Sequence, residues 1–185
     1  MFRNRSLFVF VALALLATGA LVLACAPAPT PVPPTPPPPT SVPTTEANKA
    51  LVRRYVEQVL NRGKFEVLDE LWAPNYKRYV SAAAAPLNAD AAKKRLAGLR
   101  AVFPDLNLTI EDMIAEGDRV AYRTTIRGTQ QAAYQGIAPT SKQVTVTELA
   151  IIRIENGKFV EHWGGADTMD LVQQLGGVVS AAPAK

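Results

Sequence analysis

The stretch from Gln143 to Leu175 decides the fold, and it reads QVTVTELAIIRIENGKFVEHWGGADTMDLVQQL. Two runs of largely alternating apolar and polar residues flank Asn156-Gly157. Both turn residues tolerate the positive φ of a type I′ turn, so the pattern predicts a β-hairpin. The second strand leads into Trp163 and Asp167, and a short amphipathic helix follows. The only histidine of the chain, His162, lies in the same strand. We therefore expect these residues to form one wall of any chemical site.

The turn also predicts a register for the hairpin. It places Ile154 opposite Phe159 and, further from the turn, Ala150 opposite Trp163. Because side chains alternate across a strand, Glu148 and Trp163 share one face and the histidine lies on the other. Both faces mix apolar with ionisable residues. This suits a curved sheet with one side lining a cavity, and it also suits an ordinary sheet with charges at its ends.

The rest of the chain predicts helices before strands. Apolar residues at helical spacing predict helices from Glu46 to Leu60, from Phe65 to Trp72, and, with Asn88 as the cap, to Val102. Alternating runs predict strands at 106–115 and 119–129, ahead of the 143–164 hairpin and a closing helix. This order is typical of an α+β fold, in which a curved antiparallel sheet wraps around N-terminal helices packed on one face.

The first residues have the pattern of a targeting segment. Arg3 and Arg5 give a positive start, an apolar run covers 7–23, and small residues precede Cys25. This order resembles the lipobox of bacterial lipoproteins, which implies a signal peptide at 1–24, cleavage before Cys25 and a lipid on its sulfur. The alternative is an uncleaved anchor helix, since the run approaches the ~18 apolar residues of a membrane span. We expect an exported protein, lipid-anchored to the outer face of the bacterial cell membrane.

Proline dominates the next segment. Residues 25–45 hold most of the 15 prolines, together with threonine and no charged residue. Proline lacks an amide donor and disfavours helix in the residue before it, so we expect an extended linker. A single domain of about 130 residues should follow at 46–176, with a disordered tail at 177–185.

Charge and cysteine content exclude several classes of protein. The net charge of +4 includes Arg3 and Arg5, and their removal leaves about +2 (4 − 2), which argues against a nucleic-acid binder. Cys25 is the only cysteine, so a disulfide within the chain and a cysteine-based metal site are excluded. Neither a glycine-rich phosphate loop nor metal-ligand spacing occurs, so we expect no metal and no cofactor.

Six segments carry a family resemblance: Phe103-Pro104-Asp105-Leu106, Glu116-Gly117-Asp118-Arg119-Val120, Gly128-Thr129-Gln130, Gly136-Ile137-Ala138-Pro139-Thr140, Arg153 to Lys158, and Glu161-His162-Trp163 through Asp167 to Gly176. In this order, and over nearly all of 46–176, they resemble the SnoaL-like polyketide cyclase (ester cyclase) family of the nuclear-transport-factor-2-like superfamily. The resemblance implies a cone-shaped α+β barrel with an apolar cavity at its wide end. Tyr79 and Gln130 stand where many relatives carry histidine.

The resemblance also implies a class of chemistry. In characterised cyclases an acidic residue at the cavity is the general base of an intramolecular aldol ring closure, with no metal or cofactor. The superfamily also contains isomerases, dehydratases, epoxide hydrolases and non-catalytic domains, so the fold does not choose among them. We expect a membrane-tethered domain that binds a small apolar molecule, with acid/base catalysis of cyclase or isomerase type as the hypothesis. The alternative is a non-catalytic ligand-binding or protein-interaction module. Dimers are frequent in the superfamily, so we expect a homodimer.

Three ionisable side chains are the candidate catalytic groups. Asp167 fits the family's Trp-x-x-x-Asp position and is either a base buried beside Trp163 or the cap of the last helix. Glu148 is either a pocket acid or an end-of-strand charge. His162 is either catalytic or donates to a backbone carbonyl in a helix-covered core. The candidate ligand-facing residues are Trp163, Tyr79, Tyr76 and Tyr122, and the alternative for the three tyrosines is a place in the core. A cavity of ~300 Å³ or more with a carboxylate inside would support ligand chemistry, and a packed interior would contradict it.

Overall fold

The computed structural model describes residues 45–178. Its helices are α1 (Thr45–Arg54), with a π-helical continuation (Tyr55–Asn61), α2 (Leu68–Leu71), preceded by a 3₁₀ turn (Phe65–Val67), α3 (Ala89–Val102) and α4 (Thr168–Gln174). Its strands are β1 (Trp72–Tyr79), β2 (Asn107–Glu116), β3 (Arg119–Thr129), β4 (Gln143–Glu155) and β5 (Lys158–Ala166). The expected signal peptide, the lipid-bearing Cys25 and nearly all of the linker lie outside the described residues, as does most of the tail.

The five strands form one curved sheet in the order β1-β5-β4-β3-β2. Strand β1 runs parallel to β5, and the other neighbours are antiparallel. The predicted α+β class is therefore confirmed, with a sheet that curves around the helices without closing. Strand β1 was not predicted, because Pro74 falls inside it. Proline is tolerated there because β1 is an edge strand, where one row of amides needs no partner.

Local signals gave the hairpin and the third helix. Asn156 and Gly157 have φ values of 50° and 72°, which confirms the predicted turn. The Asn88 side chain accepts a hydrogen bond of 2.9 Å from the backbone amide of Ala91, so the predicted cap of α3 is also confirmed. The second predicted helix ends at Leu71, and the chain passes directly into β1.

The predicted register of the hairpin is wrong beyond its first pairs. Ile154 faces Phe159 as expected, but the pairing then shifts, and Ala150 faces Gly164 instead of Trp163. The extra residue is Val160, which is buried like its neighbour Phe159, so strict alternation fails at this point. A bulge of one residue moves every later side chain of the strand to the other face.

The inner face of the sheet packs on two helical segments. The first is α1 with its continuation, which contributes Val52, Tyr55 and Val59 to the buried core. The second is α3, whose apolar side faces β1 and the middle of the sheet across an open space. This space is where the candidate site lies. Within residues 45–178, every helix is too short or too polar to cross a membrane.

Candidate functional site

A cavity of about 270 Å³ lies between α3 and the inner face of the sheet. Most of its wall is apolar, and this part includes Leu96, Leu99, Phe103, Val144 and Val146. The charged residues on the wall are Arg78, Arg95 and Glu148. The volume is slightly below the ~300 Å³ expected of a ligand pocket. The interior is not solid, however, and it holds a carboxylate.

That carboxylate belongs to Glu148, in the middle of β4. The residue is 7% exposed, so it is a pocket acid and not an end-of-strand charge. Its Oε2 accepts a hydrogen bond of 3.3 Å from the hydroxyl of Thr124, which is its direct partner across the strand pair. Its Oε1 lies 3.6 Å from Nη2 of Arg78. Both carboxylate oxygens are thus held in place, which is how a buried charge becomes tolerable.

Arg78, on β1, is the centre of the polar groups around this cavity. Its Nη1 donates to Nε2 of His162, and its Nη2 donates to the carbonyl oxygen of Gly164 at 3.1 Å. Burial alone would lower the pKa of Arg78, but the surrounding Tyr55 and Glu148 outweigh that effect and raise it, so the guanidinium stays protonated. Arg78 was not among the predicted site residues because β1 was not predicted. Its position opposite His162 becomes visible only once the parallel strand pair is known.

His162 lies behind Arg78, 1% exposed and not on the cavity wall. Burial, with the charge of Arg78 as a second cause, lowers its pKa well below the ordinary value for histidine, so the ring is neutral. A guanidinium cannot accept a hydrogen bond, so Nε2 must be the bare nitrogen and Nδ1 the protonated one. Nδ1 then faces the hydroxyl oxygen of Tyr76 at 3.4 Å, and Tyr122 donates to Nε2 at 3.1 Å. The expected partner, a backbone carbonyl, was wrong, since both ring nitrogens contact side chains.

The bulge explains why His162 and Glu148 share a face. The predicted register put His162 on the opposite face from Glu148, and this is wrong because His162 pairs with Ile152. Arg78 joins the two residues, one on each side of its guanidinium. Side chains 14 residues apart in sequence therefore belong to one buried network.

The tyrosines around the network stay protonated. Burial raises the pKa of Tyr55, Tyr76 and Tyr122 well above the usual range of a phenol. Tyr76 lines the cavity and stacks on Trp72, with ring centroids 4.1 Å apart. Tyr122 contacts His162 and does not line this cavity. Of the two, only Tyr76 is placed where a ligand in the cavity would touch it.

Trp163 and Tyr79 lie on the outer face of the sheet. They are opposite each other in the pairing of β1 with β5, and their rings stack with centroids 3.6 Å apart. The prediction that Trp163 shares a face with Glu148 is therefore wrong, and the bulge at Val160 is the reason. The inner cavity is lined by neither aromatic ring.

Asp167 is the cap of α4. Its carboxylate accepts a hydrogen bond of 3.0 Å from the backbone amide of Asp170, and the residue is exposed. Strand β5 ends at Ala166, and the backbone amide of Asp167 makes a last hydrogen bond of 2.9 Å to the carbonyl oxygen of Thr147 before α4 begins. Asp167 does not line the cavity. The structure therefore separates it from Glu148, Arg78 and His162.

The sequence of residues 50–175 matches the profile of the SnoaL-like polyketide cyclases. The chain belongs to this family. Among solved structures, it resembles AclR from Streptomyces galilaeus, described as a candidate hydroxylase, at 30% identity over 72% of this chain and 98% of that one, with a TM-score of 0.66. IdmH from Streptomyces antibioticus, described as a candidate polyketide cyclase, is 30% identical over 69% of this chain and 97% of that one, with a TM-score of 0.62.

A third solved structure, described as a candidate SnoaL-like polyketide cyclase, shares the fold at lower identity. It comes from Jannaschia sp. CCS1, is 20% identical over 72% of this chain and 94% of that one, and has a TM-score of 0.67. No curated protein sequence matches the chain significantly.

In this SnoaL-like domain the family's Trp-x-x-x-Asp position and the cavity carboxylate are different residues. The position itself falls on Trp163 and Asp167, on the outer face and at the cap of α4. The carboxylate inside is Glu148, held by Arg78. In residues 45–178 no three His, Cys, Asp or Glu side chains cluster closely enough to hold a metal ion.

Proposed function

We propose that the chain binds a small, largely apolar molecule in the inner cavity and that Glu148 acts on it as a general base, with no cofactor. The observation that supports this is the Glu148–Arg78 pair on an otherwise apolar wall. Moving each ion of such a pair out of water costs several kcal/mol, and the attraction between the two ions offsets about that much. Apolar side chains in the same place would therefore give about the same stability. An apolar pocket with a few convergent polar groups is the usual form of a binding site.

The chemistry is proton removal beside a carbonyl group. The Glu148 carboxylate takes the proton, and the electron pair of the broken C–H bond moves into an enolate whose oxygen is stabilised by the Arg78 guanidinium. In a cyclase the enolate carbon then bonds to a second carbonyl carbon of the same molecule, and the resulting alkoxide takes the proton back from Glu148. In an isomerase the proton returns to a different carbon. Every atom stays in the substrate, and the base is restored.

The neighbouring residues suit that role. Thr124 and Arg78 hold both oxygens of the base, so its position is fixed before a ligand binds. Neutral His162 accepts from Arg78 and keeps the guanidinium turned toward the cavity. His162 is thus a positioning residue in this proposal. The two solved structures at 30% identity are described as a candidate hydroxylase and a candidate polyketide cyclase. We favour the cyclase or isomerase class because its step needs only a base and a cationic donor.

Hydrogen exchange on a small ketone tests the proposal. β-Tetralone in deuterated water loses its α-hydrogens to deuterium under base catalysis, which proton NMR follows directly. We expect exchange to be accelerated by the protein and to fall about a hundredfold or more in Glu148→Gln. Asp167→Asn is the matched control, because asparagine still caps a helix, and it should keep the wild-type rate. The assignment would be contradicted if the wild-type protein exchanged hydrogens no faster than buffer. It would also be contradicted if Asp167→Asn lost the activity and Glu148→Gln kept it.

We also propose that the mature protein is exported and carries a lipid on Cys25. The support is the order of positive start, apolar run and small residues before this cysteine. Mass spectrometry of the protein from a bacterial membrane fraction should find an N-terminus at residue 25 with an added diacylglyceryl mass. Cys25→Ala should leave an unprocessed precursor. An unmodified Cys25 in wild type would refute the proposal.

A homodimer through the outer face is our third proposal. Four large apolar side chains are exposed there, from 72% for Ile114 to 39% for Trp163, with Leu149 and Ile151 between them. They surround a shallow groove of about 480 Å³. Soluble monomers seldom expose a contiguous patch of this kind. The same surface would also serve the alternative function, a protein-interaction module.

Light scattering on the protein without its signal peptide tests this assembly. We expect twice the monomer mass at micromolar concentration and the monomer mass for Leu149→Lys, since an isologous contact would bury the introduced lysine twice, once from each copy. Thr147→Lys, on the same strand face but outside the groove, is the control. A monomeric wild type would end the dimer proposal.

A further inference from the structure

The charges on the cavity wall do not balance. Arg78, Arg95 and Glu148 line it. Arg78 pairs with Glu148 at the buried end. The positive charge of Arg95 is therefore in excess.

Arg95 projects from α3 at the solvent side of the cavity and is exposed. Across residues 45–178 it makes no ion pair and no side-chain hydrogen bond, whereas Lys93 on the same helix pairs with Asp69. A cation on an apolar wall without a protein partner is available to a ligand anion. Such a pair is stronger at a partly dry cavity mouth than on an open surface.

Tyr134 supplies a neutral donor at the same mouth. It lines the cavity, half-buried, with its ring edge-on to Phe103 at a centroid distance of 6.1 Å. Its oxygen accepts from the side-chain amide of Gln135 at 3.3 Å, which leaves the hydroxyl proton to donate elsewhere. Burial raises the pKa of Tyr134, and the nearby charge of Arg95 opposes that rise. The hydroxyl is therefore protonated at neutral pH.

We infer that the cavity selects a small apolar molecule with an anionic group, most simply a carboxylate, which pairs with Arg95 and accepts a hydrogen bond from Tyr134. The inference rests on the proposed function and names its ligand class. The apolar body lies between α3 and β4, and the reactive end reaches Glu148 and Arg78. The anion stays at the mouth because Glu148 repels it from the buried end and already neutralises Arg78.

Fluorescence of Trp72 reports on the cavity directly. The chain has two tryptophans. Trp72 lines the cavity and Trp163 does not, so Trp163→Phe leaves one cavity reporter. The probes are phenylpropanoate, phenylpropanamide and phenylpropylamine, which share one apolar body and differ in charge. We expect the carboxylate to bind about fivefold more tightly than the amide, and the amine to bind most weakly.

Variants of the mouth then locate the effect. Arg95→Met should remove the preference for the carboxylate and leave amide binding unchanged. Lys94→Met, on the same helix but off the cavity wall, is the charge-matched control and should keep the preference. Tyr134→Phe, which retains the ring, should weaken the binding of the carboxylate probe alone. Equal affinities of the three probes for the parent protein, or a preference that survives Arg95→Met, would overturn the inference but leave the proposed function standing. No binding of any probe, by fluorescence and by calorimetry, would overturn both.

Discussion

Each face of the sheet carries residues that break the usual pattern of a half-exposed sheet. On the inner face of β4 and β5, Glu148 and His162 are buried in one polar network. On the outer face of the same strands, Leu149, Ile151 and Trp163 are exposed. Antiparallel sheets ordinarily place apolar residues inward and polar residues outward. Residues that break this rule mark candidate functional surfaces, and we propose a ligand for the inner side and a partner for the outer side.

The largest predicted effect is on the inner face. Arg78→Met keeps most of the side-chain volume but leaves Glu148 charged and unpaired, so we expect a loss of about 3–5 kcal/mol in the free energy of unfolding. Arg62→Met is the control, because the ion pair of Arg62 with Glu57 is more than half exposed on both sides. That change should cost about 1 kcal/mol or less. Urea denaturation of both variants measures the difference, and equal losses would show that the buried pair is no more important than a surface pair.

Next in size is the glycine that supports Arg78. Gly164 has φ +123°, and a Cβ there would lie 2.1 Å from the carbonyl oxygen of Leu149. Gly164→Ala should therefore destabilise the fold by about 3 kcal/mol, from backbone strain and overpacking together. Gly165→Ala is the matched control, since a Cβ there would meet no atom within 4 Å, and it should change stability by about 0.5 kcal/mol or less. Thermal or urea unfolding that gives both variants the same stability would contradict the close approach of β5 to β4.

The burial of His162 predicts a pH dependence. Its folded-state pKa is lowered, so the unfolded chain binds the proton more tightly, and stability is full above about pH 6.5 and declines as the pH falls. One such histidine lowers the stability by at most about 1.4 kcal/mol for each pH unit below pH 6.5. His162→Gln should flatten the stability profile in this window. The chain has no other histidine, so a slope that persists unchanged in the variant would show that another group is responsible.

The smallest effect is predicted on the outer face. Leu149→Thr removes an exposed apolar side chain and keeps a residue that favours strands. We expect the unfolding free energy of the monomer, measured at high dilution, to change by about 0.5 kcal/mol or less. A loss comparable to that of Arg78→Met would mean that the outer face is part of the folded core.

Elements with a local chemical signal were predictable. The Asn156-Gly157 turn and the Asn88 cap follow from residues next to one another, and the structure has both. The family resemblance then supplied the architecture. In contrast, β1 pairs with β5, which lies near the other end of the domain sequence. Its proline argues against a strand when the segment is considered alone. Arg78, the centre of the site, was lost with it.

The site was predictable in part, for a physical reason that one residue illustrates. A turn fixes only the pairs nearest to it, and the extra residue at Val160 reversed the faces of everything beyond. Glu148 lies in β4, the strand without the extra residue, and its inward direction was one of the two predicted options. His162 and Trp163 lie after it and exchanged faces. Two successive buried residues, Phe159 and Val160, were the signal that could have revealed the bulge.

The measurement that tests the central claim most directly uses the two tryptophans as reporters of the two faces. Trp163→Phe reports from the inner cavity through Trp72, and Trp72→Phe reports from the outer face through Trp163. On titration with β-tetralone, we expect a saturable change in emission from Trp72 and none from Trp163. A saturable change confined to Trp163, or no change in either variant, would contradict a ligand site on the inner face.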